Sequence, residues 1–231
     1  MIRRPGLLFC ALVLQVPLFL AVPAAKLAAA PTNDVQLADI ARVMSSASTV
    51  FARFEEERYV SLFDEPLKSD GYLCFVAPNL IRWEMSGPYR SILISNGRNV
   101  GQFEWMNGKR EKLNTGLEGV VRQVTGQMAM ILRGQFKGDR KDSYQASVAV
   151  TNGVTVNLVP RGAGKAEFIA SMSVQFSPDL TELRSVTLVE PDGDKTVIRF
   201  SGMRTNVTFA AGTFDTSAPS DIAEILKALP Q

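Results

Sequence analysis

Few side chains in this 231-residue chain could carry out chemistry, and none of its residues is a histidine. Histidine is the usual general base, the usual activator of a nucleophile and the commonest zinc ligand. The sequence also lacks the Gly-x-Ser-x-Gly elbow and the Ser-x-x-Lys pair that present a nucleophilic serine. We therefore predict no catalytic residue, no metal site and no cofactor.

Two short motifs remain as candidates for a reactive site. Gly162-Ala163-Gly164-Lys165 resembles part of a phosphate-binding loop, but the first glycine of that motif is missing and no Ser or Thr follows the lysine. A hairpin loop is the better interpretation. The other motif is the acidic run Glu55-Glu56-Glu57. Because strand residues alternate between faces, the three carboxylates cannot line one site and at least one should be solvated. A pair of carboxylates for hydrolysis stays open as an alternative.

The first thirty residues have the order of a secretory signal peptide. Arg3 and Arg4 precede an apolar run of about 16 residues, and small residues follow from Ala24 to Ala30. A membrane-spanning helix needs roughly 20 apolar residues, so a retained anchor is the alternative. We predict that residues 1–30 are removed on export to the periplasm and that residues 31–231 form one domain.

Removal of this segment changes the net charge and the number of cysteines. Without Arg3, Arg4 and Lys26 the chain keeps 22 Lys and Arg against 23 Asp and Glu. A near-neutral chain gives no reason to expect a nucleic-acid partner. Cys74 becomes the single remaining cysteine and cannot form an internal disulfide. It lies in an alternating apolar stretch, which predicts a buried, unreactive thiol.

Most of the remaining sequence alternates between apolar and polar residues with a period of two, as strands do. Four Asn-Gly or Asp-Gly pairs separate these runs, and each predicts a type I′ hairpin turn, which needs positive φ at both positions. About ten or eleven strands in an antiparallel meander are expected. The four pairs are Asn96-Gly97, Asn107-Gly108, Asn152-Gly153 and Asp192-Gly193.

Three segments show helical spacing instead. Leu37, Ile40 and Met44 form one apolar stripe, and a second stripe follows the capping-box pattern from Thr115 to Glu118. A short helix over Ser220–Leu229 ends the chain; it could cap the barrel or pack outside it. Because a sheet of this many twisted strands tends to curl, we predict a mainly β fold with helices (α+β). It is an incomplete antiparallel β-barrel closed by two or three short α-helices, with a β-sandwich as the alternative.

The stretch from Gly71 to Met85, GYLCFVAPNLIRWEM, resembles the signature of the periplasmic outer-membrane lipoprotein carrier family, LolA. The similarity continues through the strand and turn from Ser91 to Gly97. Phe51-Ala52-Arg53-Phe54-Glu55 resembles the family's first strand, and Gly212-Thr213-Phe214-Asp215 its closing segment. The resemblance spans most of residues 34–219 and is most specific over residues 51–97.

This resemblance implies a carrier with an apolar cavity under a helical lid. Such a protein takes acylated lipoproteins, or other lipids, from an inner-membrane lipoprotein-releasing transporter to an outer-membrane acceptor, as a monomer with only transient membrane contact. One departure concerns Ala77, because the family places a lid-binding arginine before the signature proline. Three alternatives therefore stay open: a lipid-binding module that senses rather than transports, a carrier of another lipid-linked product, and an enzyme acting on acyl or glycan substrates.

The alternation and the resemblance together assign candidate residues to the cavity and its lid, although inward aromatics also suit an ordinary core. The facing of the strand with Phe103 and Trp105 is ambiguous. The cavity candidates are Val50, Ala52, Phe54, Leu73, Phe75, Ala77, Ile81, Trp83, Met85, Leu93, Phe103 and Trp105. The lid candidates are Leu37, Ile40 and Met44 on the first helix, with Val120, Val124 and Met128 on the second.

Overall fold

The computed structural model describes residues 35–113, 116, 118–136, 144–161 and 169–229. Three helices and eleven strands lie within these ranges, numbered here in chain order. They are α1 (Leu37–Met44), β1 (Thr49–Tyr59), β2 (Leu67–Val76), β3 (Leu80–Gly87), β4 (Ser91–Asn96), β5 (Val100–Met106), β6 (Lys109–Lys112), α2 (Glu118–Leu132), β7 (Tyr144–Val150), β8 (Val154–Pro160), β9 (Ser171–Phe176), β10 (Leu183–Val189), β11 (Lys195–Thr205) and α3 (Ile222–Ala228).

All eleven strands form one antiparallel sheet, in the order β6-β5-β4-β3-β2-β1-β11-β10-β9-β8-β7. Strands β1 to β6 form a meander, α2 follows the edge strand β6, and the chain resumes at the far edge with β7. Strands β7 to β11 then return until β11 pairs with β1. Because β6 and β7 are edges that do not pair with each other, the barrel is incomplete, as the sequence predicts.

The sheet buries side chains on both faces. We call the face that carries Phe54 and Trp83 the inner face, and the face that carries Phe51 and Cys74 the outer face. Helices α1 and α2 contribute to the inner core, and α3 packs on the outer face. The inner core also includes alternate residues of β8 and β9, namely Val154, Val156, Leu158, Met172, Val174 and Phe176.

The position of the C-terminal helix decides whether it caps the barrel or packs outside it. The Asp221 carboxylate caps α3 by accepting a hydrogen bond from the Ala223 N–H at 3.0 Å. Ile225 and Leu229 pack against Phe51 and Cys74, so α3 covers the outside of the sheet. Cys74 is buried, as predicted, and burial raises the pKa of its thiol to about 12, which disfavours the nucleophilic thiolate.

All four predicted hairpin turns occur where the sequence places them. Three of the four do not have the predicted type I′ geometry. Asn107 and Gly108 both have positive φ, 51° and 76°, as a type I′ turn requires. At the other three pairs the glycine alone has positive φ. The side chain explains the difference at Asn96, because its carbonyl oxygen accepts hydrogen bonds from the N–H groups of Arg98 and Asn99 at 3.1 and 2.8 Å.

Candidate functional site

The centre of the inner face is an aromatic wall. The Phe54 ring stacks on the Trp83 indole with ring centroids 3.8 Å apart and planes 19° apart. The Phe200 ring meets the indole edge-on at 6.2 Å. Gly71 makes the close stack possible, since a Cβ there would lie 2.6 Å from Phe54 Cζ and 1.9 Å from the Glu84 carbonyl oxygen.

Strand register assembles the rest of this wall. Ala52 lies opposite Leu73, Leu73 opposite Trp83, and Trp83 opposite Leu93. Directly opposite residues share a face of the sheet, so this row runs across four strands. The candidates that the structure places on the inner face are Val50, Ala52, Phe54, Leu73, Phe75, Ile81, Trp83, Met85 and Leu93.

Ala77 does not belong to this wall. It is exposed, one residue beyond the end of β2, and its N–H donates to the Ser48 carbonyl oxygen at 2.9 Å in the turn that leads to β3. The alternation of Leu73 and Phe75 does not continue to Ala77, because the strand ends at Val76.

Phe103 and Trp105 are also misplaced by the sequence prediction. Phe103 lies opposite Ile92, and both pack with Ile94 in a separate outer-face cluster that Trp105 and Phe214 border. Leu93 points the other way. The error arises because the closing segment covers the outer face here, so β4 carries apolar side chains on both faces and alternation gives no direction for β5.

Helix α1 lies over the inner wall as expected. Ile40 and Met44 are buried in the same core as Phe54 and Trp83, and Leu37 is partly buried against that core. The end of α2 approaches this helix closely, since a Cβ on Gly134 would lie 2.9 Å from the Ile40 carbonyl oxygen. The two helices therefore form one cover over the wall.

Helix α2 is rotated from the predicted orientation. Val124 is 41 % exposed and is not a lid contact, whereas Met128 packs against the inner core; the Val120 side chain lies outside the described residues. Thr125 is buried instead, because its hydroxyl donates to the Val121 carbonyl oxygen at 2.9 Å and needs no water. The buried stripe is Val121, Thr125, Ala129 and Leu132.

Few hydrogen bonds tie α2 to the sheet among the described residues. Gln127 Nε2 donates to the Tyr144 hydroxyl at 2.9 Å, at the start of β7. Arg122 Nη1 donates to the Arg98 carbonyl oxygen at 2.9 Å, in the β4–β5 turn. These bonds anchor the helix near opposite edges of the sheet.

A polar group interrupts the wall near the β1–β2 turn. Glu56 is two residues beyond Phe54 and lies opposite Ile198, which packs on the inner core. It is 5 % exposed, and burial raises its pKa from 4.5 to about 7, with Arg58 opposing the rise. Glu55 is exposed and Glu57 pairs with Arg199 at 2.9 Å. The acidic run is thus split between faces, which confirms that the three carboxylates do not line one site.

The signature residues Arg82 and Glu84 form an ion pair on the outer face that sequence reasoning missed. Both are buried, and Arg82 Nε donates to Glu84 Oε2 at 3.0 Å. The same guanidinium donates to the carbonyl oxygens of Thr213 and Ser220 at 3.2 and 2.9 Å. The pair therefore fastens the closing segment to the sheet. Its signal in the sequence is the spacing of two, which puts both side chains on one face.

The described residues show no helix that is both long and apolar enough to span a membrane. They also hold no group of three or more Cys, Asp or Glu side chains placed to bind a metal ion. What these ranges do present is a continuous apolar wall with a two-helix cover. Such a wall offers apolar side chains to whatever lies between it and the helices.

The chain is similar in sequence to a family of known proteins. The model of the family described as outer membrane lipoprotein carrier protein LolA matches residues 45–217. The chain is 30% identical over 178 residues to an outer-membrane lipoprotein carrier protein of Xylella fastidiosa (strain Temecula1), covering 77% of this chain and 81% of that protein. It is 21% identical over 202 residues to the protein of the same name from Azotobacter vinelandii, covering 87% and 93%.

Solved structures show a more distant likeness. A LolA superfamily protein from Nitrosomonas europaea matches with a TM-score of 0.40 and 9% identity, covering 77% of this chain and 94% of that chain.

Proposed function

The chain belongs to the outer membrane lipoprotein carrier (LolA) family, and from this premise we propose how it carries its cargo. The acyl chains of a lipoprotein, or of a related lipid, lie between the inner face and helices α1 and α2. The protein shelters them from water between the inner and the outer membrane. The observation that carries this proposal is the Phe54–Trp83 wall under a two-helix cover.

The energetics of an acyl chain explain why a cover is needed. Each methylene gains about 0.8 kcal/mol when it leaves water, so a lipid anchor does not cross the periplasm unaided. A carrier must offer comparable apolar contact and must also release the chain. Helix α2 suits both requirements, because its apolar stripe covers the wall while only a few hydrogen bonds in the described region hold it there.

The half-buried part of the inner face is the natural place for a chain to enter. Phe200 and Ile198 on β11, Leu188 on β10 and Met85 on β3 are only partly buried, although each packs on the inner core. In contrast, Trp83 is 7 % exposed. A chain that enters over the half-buried residues reaches Trp83 once α2 moves away from the wall.

The proposed compartment is the periplasm, reached after removal of residues 1–30. The proposed partners are an inner-membrane lipoprotein-releasing transporter and an outer-membrane acceptor, which the monomeric carrier meets in turn without a cofactor. N-terminal sequencing of the protein purified from the periplasm tests whether residues 1–30 are removed. A protein that still begins at Met1 would contradict it.

Substitution on β11 tests the cavity while sparing the fold. Phe200→Ser should weaken binding of a fluorescent apolar probe, because it removes the half-buried edge of the aromatic wall. Val197→Ser is the matched control: it is also half-buried, but it lies three residues away on the opposite face of the same strand. Equal loss of binding in the two variants, at equal thermal stability, would refute the cavity.

The cargo is identified by mass spectrometry of lipids and acylated proteins that co-purify with the protein. Triacylated lipoprotein in the eluate supports the carrier and shows that Ala77 is tolerated. A different lipid or lipid-linked product would mean that the fold is kept and the cargo is changed. A bound lipid that the protein does not hand to membranes would favour the sensing module.

A further inference from the structure

Glu56 is a buried carboxyl group without a hydrogen-bonding partner among the described residues. It lies on the inner face with Phe54, its neighbours across the strands are Ile198 and Ser69, and its side chain is 5 % exposed. The one described charge that acts on it is Arg58. Glu56 therefore puts a carboxyl group at the end of an otherwise apolar wall.

Arg58 is the second polar residue at this end of the inner face. It is two residues beyond Glu56 on the same strand, which puts the two side chains on one face and about 7 Å apart along the strand. Arg58 Nη2 is paired with Glu190 Oε1 at 3.3 Å. Among the described residues, the buried Nε–H of Arg58 has no hydrogen-bonding partner. Arg58 thus offers a buried, unpartnered donor beside the Glu56 carboxyl at this end of the inner face.

We propose that Glu56 and Arg58 form a polar subsite for the ester or amide carbonyl oxygens that join acyl chains to their head group. This inference rests on the proposed function, since it places the polar end of the same ligand. The hydrocarbon would run from this subsite along the inner face toward Trp83 and the two helices. The head group would leave the protein at the β1–β2 and β10–β11 turns, where Asp194 accepts a hydrogen bond from the Ser61 N–H at 2.9 Å.

The chemistry of Glu56 and Arg58 favours a ligand group that accepts hydrogen bonds. The Nε–H of Arg58 can only donate. Burial raises the pKa of Glu56 to about 7, so below neutral pH its carboxyl is protonated and donates through its O–H group. Carbonyl oxygens accept from both donors and carry no charge into the apolar wall. They are also the polar atoms nearest to the methylenes of any esterified or amide-linked fatty acid.

The test compares two ligands with the same hydrocarbon part, methyl palmitate and hexadecane, at pH 6. Each displaces a fluorescent apolar probe from the wild-type protein and from three variants. Glu56→Leu should lower the affinity for methyl palmitate relative to hexadecane by about 3- to 10-fold, the effect of one hydrogen bond. Glu56→Gln should keep most of the preference, because its amide still donates. Glu55→Leu changes the exposed neighbouring residue on the opposite face. It should keep the whole preference for methyl palmitate.

Comparing the ratio of the two affinities between the wild type and a variant cancels the difference in ligand solubility, because that difference is the same for both proteins. The thermal stability of Glu56→Leu, which should equal or exceed that of the wild type, excludes loss of fold. An unchanged ratio in Glu56→Leu, with hexadecane still bound, would overturn the subsite and leave the proposed carrier intact. If the wild type binds neither ligand, the proposed function itself fails. A preference for hexadecylamine over methyl palmitate would also overturn the proposal, because it would show an ionised carboxylate that binds a cation.

Discussion

The rings of Phe54 and Trp83 stack with their centroids 3.8 Å apart on the inner face of the sheet, at the centre of the surface proposed to meet an acyl chain. Phe54 comes from β1 and Trp83 from β3, and Gly71 on the strand between them leaves the space for contact. The wall is therefore built across three strands and does not depend on either helix. Movement of the helices can uncover it without dismantling it.

The two tryptophans give a direct readout of this arrangement. The chain has only Trp83 and Trp105, and they lie on opposite faces of the sheet. In Trp105→Phe, which keeps Trp83, a brominated acyl chain should quench the fluorescence strongly. In Trp83→Phe, which keeps Trp105, the same ligand should quench weakly. Equal quenching in the two variants would contradict an inner-face site.

The Arg82–Glu84 pair predicts a large effect of a change far from the wall. Arg82→Met leaves the buried Glu84 carboxylate without its main partner, which typically costs about 3–5 kcal/mol of folding free energy. It also removes the bonds to Thr213 and Ser220, so the closing segment should become sensitive to protease. Urea unfolding and limited proteolysis measure the two effects.

The double variant Arg82→Met/Glu84→Leu provides the control. Removal of both charges should cost less than Arg82→Met alone, because no unpaired charge stays buried. If the double variant is the less stable of the two, the ion pair is not what holds the closing segment.

The sequence predicts much of this fold because alternation and turn residues are local signals. The faces of β1 to β3 follow from the alternation of Val50, Phe54 and Trp83 with their neighbours, since each of these strands has a clear apolar inner side. The facing of β5 does not follow, because Phe103 and Trp105 pack with Phe214, which comes more than a hundred residues later. Such coverage is a tertiary contact that no local pattern reports.

The orientation of α2 shows a second limit. Val124 fits an apolar stripe and Thr125 does not, yet Thr125 is the buried residue. A threonine hydroxyl that bonds back to the preceding turn can be buried at little cost, which a hydropathy pattern does not show. In contrast, the position of Glu56 could have been predicted, because strand parity puts it on the same face as Phe54.

The raised pKa of Glu56 predicts a dependence of stability on pH. Its pKa is 4.5 when unfolded and about 7 when folded, so the folded state holds this proton more tightly. The stabilisation is complete below about pH 4.5 and is lost as pH rises through about 7. Between pH 5 and pH 8 the wild type should lose up to about 3 kcal/mol relative to Glu56→Gln, measured by urea unfolding at each pH.

The other titratable groups near Glu56 are the same in the wild type and in Glu56→Gln. Glu190, whose pKa burial also raises, is present in the wild type and in Glu56→Gln, so its contribution cancels. Glu55→Gln, at an exposed position, should follow the wild type at every pH. Parallel stability curves for the wild type and Glu56→Gln would show that Glu56 ionises as it does in water.

The hydrogen bonds of α2 predict that the cover controls the rate of ligand entry. Gln127→Leu removes the bond from Gln127 Nε2 to the Tyr144 hydroxyl. Loss of one such bond is worth about 0.5–1.5 kcal/mol, so a cover that must open before binding should open about 2- to 10-fold more often. Stopped-flow mixing with an apolar fluorescent probe should show an association rate raised by that factor.

Gln123→Leu is the control, because it adds the same apolar side chain at an exposed glutamine of the same helix. It should leave the association rate unchanged. A rate that is equal in Gln127→Leu and the wild type would mean that the chain enters without displacement of α2, by way of the half-buried residues of β10 and β11.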